Sequence, residues 1–227
     1  KTAKIYADHC LMTKNVTLMN EANRIFNYLG NWQLGDKPIV KMRNLLISPI
    51  NMRSGLLDLI EKEIQIAKKG YVASITVKLN SLTDTILLDA LYKAVKAGVK
   101  VNLIIRGILT LKSVNEKNAG KINSISIVDQ YLEHARVIIF NNKGNQKVFI
   151  SSADWMVRNL DHRIEVAVPI VDPVIKKELI DIIHIQLKDN QKARILDIDL
   201  SNKYVPSEKA SRFKSQEETY KFLKGKR

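Results

Sequence analysis

The chain has a single cysteine, Cys10, among 227 residues. No internal disulfide can form, multi-cysteine metal clusters are excluded, and the thiol usage fits a reducing compartment. HxH, HExxH and CxxC spacings are all missing, so no protein metal site of those kinds is expected. Neither GxxxxGK[ST] nor GxGxxG occurs, which removes the P-loop and Rossmann classes of nucleotide site. No stretch approaches the roughly 18 unbroken apolar residues of a membrane span, and the N-terminus has no apolar signal core. Aromatic residues make up only 6%, and the RNA-binding signatures that interleave them with basic residues are not found. The first residue is Lys1 rather than methionine, which fits a processed chain or a piece of a longer one.

What the chain does have is positive charge. Lysine and arginine total 37 against 23 acidic residues, a formal net charge of +14 at pH 7. Such an excess implies a polyanionic partner: nucleic acid, an anionic membrane surface or a phosphate-rich small molecule. Part of it lies in the tail after Ser201, where the ordinary reading is a solvated basic helix. A hydrophobic content of 45% is enough for a real core.

Residues 1–40 read as the tail of a preceding unit. Lys4-Ile5-Tyr6 suggests a strand end, Glu21 to Leu29 an amphipathic helix, and Gly35, Asp36 and Pro38 a linker. A strand–helix alternation starts at Asn44. Leu45 to Ser48 is a strand stopped by Pro49, and Asn51 caps a helix from Met52 to about Lys69 that Gly70 ends. Val72 to Val77 is a second strand. Ser81 with Asp84 resembles a capping box opening a helix to Ala97, and Val101 to Ile105 is a third strand. This alternation predicts a mixed, largely parallel sheet flanked by helices. Residues 112–121 read as a polar loop, Ile125 to Val128 and Arg163 to Pro169 as further strands, and Asp172-Pro173 as a helix start. A basic C-terminal helix covers Ser207 to Lys224.

Tyr131 to Trp155 predicts a β-hairpin: Val137 to Phe140, a turn of Asn141, Asn142, Gly144 and Asn145, then Val148 to Ile150. Its open end carries Glu133, His134 and Arg136 going in and Ser151, Ser152 and Asp154 coming out. Lys147 is grouped with them. A histidine and an arginine beside two serines suggest a site for a phosphate-like anion. The first three strands end into Asn51 and Arg53, Lys78 and Asn80, and Arg106 and Gly107. In a parallel sheet those ends share one edge, so Arg53, Lys78 and Arg106 predict a cationic crevice. Of the four histidines, His184 reads as a helix residue, and His9 and His162 as surface or turn. His134 alone sits among charged and hydroxyl neighbours suited to acid–base work or to nucleophilic attack on phosphorus.

The strings KIYAD, LLISPINMR, ITVKLNSLTD, VNLIIRG, ISIVDQYLEHARVIIFNN, VFISSADWMVRNLDHRIEVAVPI and LSNKYVP, in this order, resemble the C-terminal part of bacterial polyphosphate kinases over nearly the whole chain. More distantly, H-x-[KR] followed by SS-x-[DN] resembles one half of the phospholipase D superfamily motif. The resemblance implies a phospholipase D-like second catalytic domain at 41–200, preceded at 1–40 by the tail of the first catalytic domain and a linker, and followed at 201–227 by the basic helix.

By the same resemblance Tyr6, Arg106 and His134 match ATP-contacting positions, and Arg163 matches an arginine near the phosphate site. Asp8 would flank the family's phosphohistidine, which lies upstream of Lys1 together with the arginines that bind magnesium. Ala7 stands where a threonine is common. The implied reaction is reversible transfer of the ATP γ-phosphate to inorganic polyphosphate through that phosphohistidine, with Mg2+ as cofactor. Arg106 would stabilise phosphoryl oxygens, His134 would act as proton donor or acceptor, and Arg53, Lys78 and Asn80 would line the polymer's route. The isolated chain is expected to be inactive, the longer protein a homo-oligomer, cytoplasmic or peripheral to the inner membrane of a bacterium, with nucleic acid not a partner. Two alternatives stay open: a phosphodiesterase or nuclease pairing two His134 residues across a dimer, and a non-catalytic polyanion-binding module.

Overall fold

The computed structural model describes residues 6–31, 42–110, 122–199, 201–206 and 212–226. Lys4, Ile5, the Gly35–Pro38 linker, the 112–121 loop and residues 207–211 of the C-terminal segment lie outside them. In chain order the elements are β1 (Tyr6–Ala7), α1 (Val16–Asn31), β2 (Leu46–Ser48), α2 (Met52–Lys68), β3 (Ser74–Leu79), α3 (Thr85–Lys96), β4 (Lys100–Ile105), β5 (Ile122–Ile127) and β6 (Leu132–Glu133). There follow β7 (Arg136–Phe140), β8 (Lys147–Ser151), α4 (Val157–Asp161), β9 (Glu165–Pro169), α5 (Pro173–Leu187), β10 (Ala193–Ile195) and α6 (Ser215–Lys224).

Eight strands form one sheet in the order β10-β5-β4-β3-β7-β8-β9-β2, and β1 pairs with β6 separately. Only β3–β4 and β4–β5 are parallel within the large sheet. The pairs β10–β5, β3–β7, β7–β8, β8–β9 and β9–β2 are antiparallel. The mixed α/β class holds, but the parallel part is a minority. The reason is local: the Asn-rich turn folds β8 straight back on β7, and the short α4 connection returns β9 on β8, both of which impose antiparallel pairing.

The central strands bury apolar residues on both faces because both faces are covered. With a side-chain period of 2, Ile75, Val77, Ile138 and Phe140 pack with Leu56, Ile60, Leu87 and Leu91 of α2 and α3. Val137, Ile139, Val148 and Ile170 pack on the other face with Leu179, Ile180 and Ile183 of α5. Two local predictions shift. The cap of α3 is Asp84, whose carboxylate accepts from the Leu87 amide, while Ser81 lies upstream of the helix. Asn51 sits at the N-cap of α2 without capping it, because its side chain bonds the Ile47 amide and the Leu45 carbonyl instead. Gly70 and Gly98 take positive φ after α2 and α3 as expected of helix stops.

Two carboxylates fasten the peripheral segments. Glu21 of α1 accepts the amides of Arg43, Asn44 and Leu45 at 2.9–3.1 Å and so locks the approach to β2. Asp189 accepts the amides of Gln191, Lys192, Ala193 and Ser215, tying α6 to the end of α5. Burial opposes ionisation of both, but these hydrogen bonds outweigh it and hold each pKa below its ordinary value of 4.5 or 3.8. A depressed folded pKa gives stability that is complete above the ordinary value and lost as pH falls through the folded one. Stability to urea is therefore expected to drop progressively below about pH 4.5. Asp189→Asn should cost about 2 kcal/mol at neutral pH and flatten that acid dependence.

Candidate functional site

Strands β2, β3, β4, β5 and β8 end, and β7, β9 and β10 begin, at the same edge of the sheet. The site residues predicted from sequence, Lys147 excepted, sit near that edge, but only some of them converge.

The centre is His134. It follows β6, which pairs with β1 in the register Tyr6↔Leu132 and Ala7↔Glu133. The Ala7 carbonyl accepts from the amides of both His134 and Ala135. That clamp sets the residues on either side of Ala7 against the histidine. The Tyr6 ring stacks on the imidazole with centroids 4.5 Å apart and planes inclined by 18°. Asp8 Oδ2 lies 2.8 Å from His134 Nδ1, a contact that selects the Nδ1–H tautomer and leaves Nε2 as the proton-exchanging atom. Arg136 follows, its guanidinium within 3.5 Å of both ring nitrogens.

Arg136 is positioned by Asp154, a carboxylate only 2% exposed. Arg136 Nε and Nη2 donate to its two oxygens at 3.1 and 3.0 Å. The same carboxylate accepts the amides of Asn80 and Ser81 at 2.8 and 3.0 Å, and the Trp155 carbonyl accepts those of Thr83 and Asp84. The Ser151–Trp155 segment is thereby sewn to the end of β3. Arg106 donates to the Asn80 side chain, and the Gly107 amide donates to the Asn80 carbonyl at 2.7 Å. A Cβ on Gly107 would stand 2.9 Å from that carbonyl oxygen, so only glycine allows the approach.

Beside His134 a cleft of about 500 Å³ is lined by Asp8, His9, His134, Arg136, Ser151, Ser152, Arg163 and Glu165 among others. Arg163 is more than half exposed and 3.9 Å from Glu165, so it faces the opening with most of its charge available. Ser152 donates to Glu165, which also accepts from Asn159. These contacts fix the far wall.

Three predicted groups have other roles. Arg53 is spent on Asp84 and Asp161, which raise its pKa while it lowers that of Asp161. β2, which leads to it, stands at the sheet edge beyond β7, β8 and β9. It is a strut between α2, α3 and α4 with little charge left for a ligand. Lys78 is 3% exposed and donates to Glu133 at 3.0 Å. Burial lowers its pKa and Glu133 partly offsets this. Lys147 begins β8 opposite Phe140, at the far end of the hairpin from His134. Its grouping with the histidine is corrected by the register. Asn80 and Arg106 belong to the network behind the cleft and are not among its lining residues.

Sequence reasoning placed Arg136 beside His134 at an anion site but passed over His9 and gave Asp154 no role of its own. His9 lines the cleft, and burial, then the Lys78 charge, lowers its pKa. Its neighbour Asp8 in KIYAD was the available signal; for Asp154 it was SSAD. His162 is exposed, as expected, and His184 lies on α5 as expected but is exposed rather than packed.

One sheet edge of a mixed α/β domain thus gathers a buried Asp–Arg pair, an oriented histidine and an exposed arginine. Residues 45–216 match the family model described as polyphosphate kinase C-terminal domain 2. The polyphosphate kinases of Klebsiella pneumoniae and Escherichia coli K12 are 47% and 44% identical over 224 residues, covering 99% of this chain and 32% of theirs. The crystal structure of polyphosphate kinase from Porphyromonas gingivalis superposes with a TM-score of 0.91 at 40% identity, over 100% of this chain and 34% of that one. A looser likeness, TM-score 0.47 at 20% identity, is to the phospholipase D family member Nuc from Salmonella typhimurium. The chain belongs to the polyphosphate kinase family and spans about a third of the length of the curated relatives it matches.

Glu133 is the partner on which the buried Lys78 depends, and Gln186 and Gln216 donate to it as well. Glu133→Gln should therefore leave an uncompensated buried ammonium and cost about 3–5 kcal/mol, read by urea unfolding. Lys78→Met in the same chain should recover most of that loss.

Proposed function

We propose that this chain is the second catalytic domain of a polyphosphate kinase, acting in reversible transfer of the ATP γ-phosphate to inorganic polyphosphate through a phosphohistidine in a preceding domain. Residues 1–40 would complete that preceding domain, 41–200 form the catalytic unit, and 201–227 brace it. The observation that carries the reading is His134 held between the Tyr6 ring and the Asp8 carboxylate beside Arg136, in an open cleft that Arg163 also lines.

In the first step the bond between the ATP γ-phosphorus and its bridging oxygen breaks as an N–P bond forms on the partner histidine, and ADP leaves. In the second a terminal oxygen of the polymer attacks the phosphorus and the N–P bond breaks. Such transfers need fixed positive charge at the phosphoryl oxygens and a proton relay at the attacking or leaving oxygen. Arg136 and Arg163, with Arg106 behind them, supply the charge. His134 Nε2 supplies the relay, and Tyr6 offers the imidazole and an incoming base an aromatic surface. Lys78 and Asn80 serve by holding the wall rather than by touching the polymer.

Mg2+ is the family's cofactor, but the two carboxylates that line the cleft are already engaged, Asp8 with His134 and Glu165 with Ser152 and Asn159. Among the described residues no group of three or more His, Cys, Asp or Glu is placed to hold a metal ion. Bacterial cytoplasm is the proposed location; no helix among the described residues is long and apolar enough to cross a membrane.

Incubated with γ-labelled ATP, the 227-residue chain is expected to stay unlabelled. It should still bind ATP, and Arg136→Ala or His134→Ala should each weaken that binding about tenfold. Label stably attached to His134 would reverse the assignment of roles. Hydrolysis of bis-p-nitrophenyl phosphate would favour the paired-histidine phosphodiesterase.

A further inference from the structure

The two strands that line the His134 cleft carry a second cleft, lined by cations, at their other end. It has a volume of about 320 Å³ and is lined by Arg43, Lys147 and Lys176 over a floor that includes Phe149, Pro169 and Ile170. The three cations come from three separate elements: the segment before β2, the first residue of β8 and the first turn of α5. No carboxylate lines the cleft, and none of the three cations is ion-paired with a described residue. Two acids on adjoining segments are already hydrogen-bonded. The Asp172 carboxylate accepts from the amides of Val174 and Ile175, and that of Glu21 accepts from the Arg43 and Asn44 amides. That second set of bonds also fixes the backbone from which Arg43 projects.

Register connects the two clefts. Val148 and Ile150 lie on one face of β8, as do Val166, Val168 and Ile170 along β9 and just beyond it. Ile150, Val166 and Val168 line the His134 cleft, and Val148 and Ile170 line the second. Lys147 and Ser151, one in each cleft, are about 13 Å apart along β8 at about 3.3 Å per residue. Three unpaired cations around a small concavity attract a compact anion with several charges more than a singly charged one.

We propose that this second cleft binds a phosphoanhydride anion, held by Arg43, Lys147 and Lys176 at the sheet edge opposite His134. The concavity and its free cations argue for an anion site independently of the function proposed above; the choice of phosphoanhydride rests on that reading. The anion's source is an inorganic chain running along the shared face or a nucleotide whose base lies on the apolar floor.

The test is amide NMR titration of the 227-residue chain with inorganic tripolyphosphate and, separately, ADP, with sodium sulfate at matched ionic strength as control. Tripolyphosphate is expected to shift the Phe149 and Ile170 amides saturably. The double variant Lys147→Glu with Lys176→Glu should weaken that response about tenfold or more while shifts at Ser151 persist. Lys147→Gln with Lys176→Gln serves if the double reversal disturbs the fold. ADP binding tighter than tripolyphosphate identifies a nucleotide site, and the reverse an inorganic chain. An equal response to sulfate, no saturable shift at Phe149 and Ile170, or a response unaffected by either double variant overturns the proposal. Loss of the Ser151 shifts alone would instead count against the function proposed for the His134 cleft.

Discussion

The Asp154 carboxylate is the tie on which the site depends. It is buried, and it accepts two donors from Arg136 and two backbone amides from the end of β3. An isolated buried carboxylate would be costly. Four convergent donors make it tolerable and at the same time fix three segments relative to one another. Arg136 can then stand rigidly beside the His134 ring, so the charge needed to receive an anion is oriented before the anion arrives.

The supporting charges follow the same logic. Lys78 sits under the site with Glu133 as its counter-ion, and Glu133 is steadied from α5 by Gln186 and from α6 by Gln216. The C-terminal helix thus reaches the residue preceding His134 through a single glutamine. Arg53 and its two aspartates brace α2, α3 and α4 in the same way on the other side of the sheet edge. Of the arginines near this edge, Arg163 is the one whose exposed guanidinium opens on the cleft, and this separates the groups that build the wall from the one most able to move onto a ligand.

Local signals made much of the fold legible. Helix stops at Gly70 and Gly98, the Asp172-Pro173 start and the Asn-rich hairpin turn all depend on residues a few positions apart, and all were readable. Strand order was not. Nothing in a run such as Leu46-Ile47-Ser48 tells it to pair with β9 rather than β3, because both faces are buried and the periodic pattern disappears. That one uncertainty sent Arg53 to the cleft and made the sheet look more parallel than it is. The histidine could be singled out from its charged neighbours, and the family resemblance matched Tyr6 to a contacting position. The Asp8–His134 contact and the presence of His9 in the cleft arise from the β1–β6 pairing, which joins residues over 120 positions apart. Lys147 shows the reverse error, since closeness in sequence hid the length of a strand.

The account stands most directly on the coupling between Asp154 and Arg136. A double-mutant cycle of Asp154→Asn and Arg136→Met, read by urea unfolding, measures it, because asparagine keeps an acceptor for the Asn80 and Ser81 amides while it removes the charge and the oxygen that accepts from Arg136 Nη2. The expected result is a coupling energy of about 2–3 kcal/mol, with the second substitution adding little to the first. Additive losses, with a coupling indistinguishable from zero, would contradict the claim that this buried pair holds the site together.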